Sequence, residues 1–154
     1  MGCVMEKQKI IDEIEQYMVD ISLTLQYEFG SGYENELSSN QQLMMYLIGK
    51  KKVTRVKELA HYMNVSASAV SQMAAKMEQL HLLERSVDEE NRRSTVLKLQ
   101  AEGLEMLEHM EERRLTIMEK YLVKLPEEDL DAMRDAFSKL HKLIQDSQKK
   151  GDEA

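Results

Sequence analysis

The sequence predicts a mainly α-helical fold that carries one small β-hairpin. Apolar residues recur at helical spacing over most of its 154 residues. Only one Pro and six Gly interrupt that periodicity, which excludes collagen-like and low-complexity chains. Between residues 82 and 99 the pattern changes to two short apolar runs flanking a polar stretch. The length suits one domain, or one domain with an extended helical annex. No apolar run approaches the roughly 20 residues that span a bilayer. No apolar segment of a secretory signal precedes the first helix. Gly2 alone resembles a myristoylation signal, because Glu6 stands where Ser or Thr is needed. The single cysteine, Cys3, can form neither an intramolecular disulfide nor a Cys-based zinc site. A soluble cytoplasmic protein is expected.

Ile10, Ile14, Tyr17, Met18, Ile21 and Leu25 predict a helix over 5–29, ended by Gly30-Ser31-Gly32. Ser38-Ser39-Asn40 offers N-cap side chains to a second helix over 41–50. Thr54 is the expected N-cap of a short helix ending at Met63. Its Val56, Leu59, Ala60 and Met63 define one buried face. Asn64-Val65-Ser66 is a turn, and Ser66 caps a helix over 67–80. There Val70, Met73, Met77 and Leu80 point inward. The opposite face carries Ser68, Ser71, Gln72, Ala75, Lys76 and Gln79, small or hydrogen-bonding groups in place of the usual Glu/Lys mixture. The runs 82–87 and 94–99 predict a hairpin with Asp88-Glu89-Glu90-Asn91-Arg92-Arg93 between them. A long helix is expected over 101–124. Pro126 fits the first position of a final helix, with Glu127, Glu128 and Asp129 complementing its dipole.

Charge is divided unevenly. Residues 50–98 hold ten Lys/Arg and six acids, a balance of +4, whereas the remainder holds 11 basic and 22 acidic residues, a balance of −11. A basic middle between acidic ends fits a DNA-reading module on an acidic scaffold. Two short helices joined by a tight turn and followed by a hairpin define a winged helix-turn-helix domain. Further helices flank this module on either side. A recognition helix must bring its first turns against base edges, which favours small residues, hydroxyls and amides. Ser66, Ser68, Ala69, Ser71 and Gln72 are the candidates, with Lys76 within reach of a phosphate. Adjacent Arg92 and Arg93 at the hairpin tip suit a narrow minor groove.

Val56-Lys57-Glu58-Leu59-Ala60, Val65-Ser66-Ala67-Ser68-Ala69-Val70-Ser71, Met77-Glu78 and Leu82-Leu83-Glu84-Arg85 follow one another in order. Asp88, Asn91-Arg92-Arg93, Leu97, Leu99 and Gly103 complete the series. In this order and spacing the chain resembles the MarR family of bacterial regulators over essentially its full length. The last group is similar to that family's D-x-x-D-R-R followed by L-T-x-x-G. Three positions depart from it. His81 replaces a usual Gly after the recognition helix, at a cost of order 1 kcal/mol if φ is positive there. Asn91 replaces the Asp that orients the wing arginine. Gln100 replaces the Thr that caps the long helix, which loosens the helix start.

The resemblance implies three segments: 1–36 as a dimerisation helix and loop, 37–100 as the DNA-binding domain, and 101–154 as dimerisation helices. It implies a homodimer on a pseudo-palindromic stretch of double-stranded DNA, with recognition helices roughly 34 Å apart. It further implies repression, relieved by a small apolar or phenolic ligand that favours the wrong helix spacing. Arg93 becomes the minor-groove arginine, Arg92 a phosphate or second groove contact, and Asn91 their wing neighbour. The methionines, 12 in all, read as flexible core, with Met44, Met45 and Tyr46 as a possible pocket floor.

Two other functions are compatible with the fold. One is a thiol-based redox sensor using Cys3, although only Lys7 stands near to favour a thiolate. The other is an interaction module that has lost DNA binding. No phosphate loop, H-E-x-x-H or nucleophile elbow is present, so no enzyme, cofactor or metal is expected. His109 with Glu105 or Glu112 has metal-compatible helical spacing, which a charged helix also produces by chance.

Overall fold

The computed structural model describes residues 2–29 and 37–152, with side chains over 4–28 and 37–148. The Gly30–Gly32 break and the Cys3 side chain lie outside what is described. The chain divides into two compact units, Met1–Arg114 and Leu115–Ala154.

The first unit begins with α1 (Gly2–Phe29). α1 keeps Ile10, Ile14, Tyr17, Met18 and Ile21 exposed within this chain. α2 (Ser39–Gly49) starts with a capping box. The Ser38 hydroxyl accepts the Gln41 N–H, and the Gln41 carboxamide oxygen accepts the Ser38 N–H. α3 (Val56–Met63) ends at Asn64, whose φ of 53° closes the turn while Val65 N–H reaches the Ala60 carbonyl. α4 (Ala67–Gln79) is capped by Ser66, which accepts the Ala69 N–H at 3.0 Å.

Two expected helix starts are corrected. The N-cap of α3 is Arg55, not Thr54. The Thr54 carbonyl instead accepts Leu97 N–H at 2.8 Å, and Arg55 bridges Val96. This pairing holds residues 54 and 55 extended, so the helix starts one residue late. The final helix, α6 (Glu127–Asp152), begins one residue after Pro126. Pro126 lies just outside it and its carbonyl accepts Leu130 N–H.

β1 (Leu83–Val87) and β2 (Thr95–Leu99) form the antiparallel hairpin, with Leu83 opposite Leu99 and Val87 opposite Thr95. The core packs Met44, Met45, Ile48, Leu59, Val70, Met77, Leu83 and Leu97, all buried, between α2, α3, α4 and the hairpin. Met44 and Met45 are therefore core. The first part of α5 (Ala101–Leu122) adds Leu107 to the same core.

The start of α5 is held by backbone contact. Gln100 N–H donates to the Leu82 carbonyl at 2.9 Å. A Cβ added at Gly103 would lie 2.0 Å from that same carbonyl oxygen. The close approach supplies the anchorage that Gln100 was expected to loosen. Only glycine allows it.

His81 occupies the left-handed region with φ of 57°. Its N–H donates to Glu78, and Leu82 N–H donates to the Met77 carbonyl at 3.0 Å. This is the arrangement in which glycine costs least. His81→Gly is expected to raise unfolding free energy by about 1 kcal/mol. Thermal unfolding checks it, with an expected rise of about 2–4 °C.

The second unit holds the rest of α5, with Ile117 buried, and α6. On α6, Met133, Phe137, Leu140 and Ile144 recur at helical spacing and are exposed within this chain. Among the described residues, no helix is long and apolar enough to cross a membrane.

Candidate nucleic-acid interface

α4 turns its two faces to different tasks. Val70, Ala74 and Met77 are buried. Ser66, Ser68, Gln72, Ala75 and Lys76 are exposed, and Ala69 and Ser71 are half-buried. Ser68, Gln72 and Lys76 stand four residues apart, so they form one stripe. The Ser66 oxygen is occupied by the Ala69 N–H, which leaves its O–H free to donate. The stripe offers hydroxyl, carboxamide and ammonium groups, a set able to bond base edges and phosphates.

The hairpin tip is built by short polar side chains. Asp88 N–H donates to Ser94, and Ser94 N–H donates to Asn91. The Asp88 carboxylate accepts Glu90 N–H at 3.0 Å. The Asn91 carboxamide oxygen accepts the Arg93 backbone N–H at 3.2 Å. Asn91 thus fixes the main chain of the tip. The replacement of Asp by Asn costs little there, because the acceptor is needed by an uncharged amide. Arg92 and Arg93 are exposed at this tip.

Two arginines that sequence reasoning left without roles hold the parts together. Arg85, on β1, donates through Nε to Glu78 at 2.7 Å and through a terminal nitrogen to the Ser71 carbonyl. It fastens the hairpin to the middle of α4. Arg55, before α3, donates through Nε to Asp88 at 2.8 Å and lies 3.4 Å from Glu90. It fastens α3 to the hairpin tip. These partners lie 7 to 35 residues apart on different elements, a separation with no periodic signal.

The Arg55 pair also carries a pH dependence. The Arg55 guanidinium, then the Glu90 N–H, hold the Asp88 carboxyl below the usual carboxylate range, against partial burial. A depressed folded pKa means that the stabilisation is complete above the unfolded value. It is lost as pH falls through the folded one. Wild type is therefore expected to exceed Asp88→Asn in urea midpoint by a constant margin near neutral pH. The margin closes on acidification below about pH 4. A margin that persisted into acid would contradict the role of the charge.

Cations of the module divide into paired and unpaired sets. Lys50 meets Glu111 at 2.6 Å, and Arg55 and Arg85 are paired as described. Lys51, Lys52, Lys57, Lys76, Arg92 and Arg93 have no carboxylate partner among the described residues. His109 lies within 4 Å of Glu105 and Glu112 on the exposed face of α5, but the described residues form no cluster able to hold a metal.

The model of the MarR family matches residues 37–95, which span α2 to the first residue of β2. The HTH-type transcriptional repressor MdtR of Bacillus subtilis is 32% identical over 124 residues, covering 75% of this chain and 80% of MdtR. The chain belongs to the MarR family. A MarR family protein from Bacillus stearothermophilus has the same fold, with a TM-score of 0.78 and 20% identity over 90% of this chain and 97% of that one. Streptococcus pneumoniae FabT, solved in complex with DNA, superposes with a TM-score of 0.72 and 17% identity, again over 90% and 97%. Helix-turn-helix and hairpin of this MarR-family chain therefore sit in the fold which the sequence predicted.

Proposed function

We propose that this MarR-family transcriptional regulator is a cytoplasmic repressor that binds a pseudo-palindromic operator as a homodimer. Residues 37–100 read DNA, while 1–36 and 101–154 dimerise. Ser66, Ser68, Ala69, Ser71, Gln72 and Lys76 face the major groove. Arg92 and Arg93 reach the adjacent minor groove from a tip whose backbone Asn91 holds. The observation that carries this reading is the exposed Ser68–Gln72–Lys76 stripe beside an arginine tip with no carboxylate partner among the described residues. Dimerisation is supported by the exposed apolar stripes of α1 and α6, each long enough to seat a partner helix.

Release by a small apolar or phenolic ligand has a suitable place in the first unit. A cleft of about 530 Å³ lies between α1, α2 and α5, lined by Leu25, Leu43, Tyr46, Leu107 and Met110, with Arg114 at its edge. The Arg114 guanidinium stands 5.6 Å from the Tyr46 ring centre, so an aromatic guest meets both an apolar wall and a cation. A ligand that prefers the dimer with the wrong helix spacing lowers operator affinity by linkage.

The test is selection from random duplex DNA at about physiological salt, since affinity without stated salt means little. A pseudo-palindrome with half-sites about one helical turn apart is expected. Binding only at low salt, with no recovered sequence, would overturn sequence-specific reading.

A further inference from the structure

Two lysines between α2 and α3, and a third in the first turn of α3, are not used by the recognition helix or the wing tip, yet they lie on the same module. Lys51, Lys52 and Lys57 fall within seven residues, all are exposed, and none has a carboxylate partner among the described residues. Lys52 and Lys57 both line a cleft of about 410 Å³, together with Val53, His61 and Tyr62, and the Lys52 ammonium donates to the Gly49 carbonyl at 2.7 Å, which leaves its other N–H groups for a guest. Glu58 also lines it and is the one acid there, 3.7 Å from Arg55. Tyr62 is 65% exposed.

The hairpin register tells where this cleft sits. Arg55 bridges Val96, and Val96 stands opposite Ser86. Residues 54 and 55 therefore form a third, short edge along the hairpin, and α3 starts level with its tip end. Lys57, in the first turn of α3, lies at the same end as Arg92 and Arg93. Arg55, two residues before Lys57, joins the start of α3 to the hairpin at Asp88.

We propose that Lys57 and Lys52 clamp a DNA backbone phosphate on the outer side of the wing, lengthening the contact beyond the groove-reading residues. The inference deepens the DNA-reading function and rests on it. The chemistry is charge neutralisation without base readout: two ammonium groups and a phenol can bond phosphate oxygens but carry no sequence information. Because the guests are phosphates of a duplex already held by α4 and the wing, the clamp needs no deep pocket.

Salt dependence tests this. Dissociation constants for the selected operator are measured from about 50 to about 300 mM KCl, for wild type, Lys57→Gln and Lys52→Gln/Lys57→Gln. The slope of log affinity against log salt is expected to fall by about one per lysine removed. The recovered sequence preference and the melting temperature stay unchanged. Hydroxyl-radical footprints are expected to lose protection at sugars outside the half-site, with the centre retained. Unchanged slopes and footprints in variants that still bind the operator would overturn the clamp alone. Absence of any sequence-specific binding by wild type would overturn the DNA reading and the clamp with it.

Discussion

Gly103→Val is expected to lower the unfolding free energy by about 3 kcal/mol, at the upper end of overpacking costs. The reason is positional. The new Cβ would stand 2.0 Å from the Leu82 carbonyl oxygen, a backbone atom that cannot swing aside. That oxygen also accepts Gln100 N–H, so any shift breaks the hydrogen bond at the entry of α5. Leu82 and Leu83 are buried, and moving them disturbs the core beneath the hairpin. Helix propensity offers no compensation, since Val is nearly as poor as Gly. Gly49 is a useful contrast. A Cβ there meets the end of the Leu107 side chain, which can rotate. Gly49→Ala is therefore expected to cost much less than Gly103→Val. Urea unfolding of both variants checks the order, and equal stabilities would refute the backbone argument.

Arg93→Ala is expected to weaken operator binding by about 1–3 kcal/mol, roughly 5- to 150-fold at fixed salt. The side chain is exposed at the hairpin tip and has no carboxylate partner among the described residues, so its loss leaves the fold intact. Its main chain stays fixed, because Asn91 bonds the residue 93 N–H and not the guanidinium. Affinity should therefore fall without change in melting temperature. Unchanged affinity would remove Arg93 from the interface. Asn91→Ala is expected to act differently: it frees the tip backbone and weakens binding through loss of order. Arg93→Lys separates shape from charge, since an ammonium cannot replace a planar guanidinium in a narrow groove.

Much of this architecture is legible in the chain because its signals are local. Helix faces repeat every three or four residues, and the helices from Ser39 and Ala67 carry their caps in adjacent residues. His81 was legible as a position to watch, because it stands in place of a usual glycine, and its φ is positive. The start of α3 was not legible. Thr54 has good capping chemistry, but pairing with β2 claims its backbone, and β2 lies some 40 residues away. Arg55 and Arg85 were missed for the same reason, because their partners come together only when the hairpin folds back. The helix-turn-helix face and the wing arginines were legible as candidates through residue type. Their context, Asn91 acting on the backbone and Arg85 on the Ser71 carbonyl, needed coordinates.

The Arg85 contacts have a mechanical consequence. One guanidinium grips both Glu78 and Ser71 from β1, and Arg55 grips the far end of the same hairpin. The α3–α4–hairpin assembly is thereby cross-braced at two separate points. Amide hydrogens along α4 and the two strands should exchange as one cooperative block, not element by element. A braced block of this kind transmits displacement without bending. A force applied at its edge re-aims α4 and the hairpin together, so on the proposed reading neither has to melt for the hold on a duplex to fail.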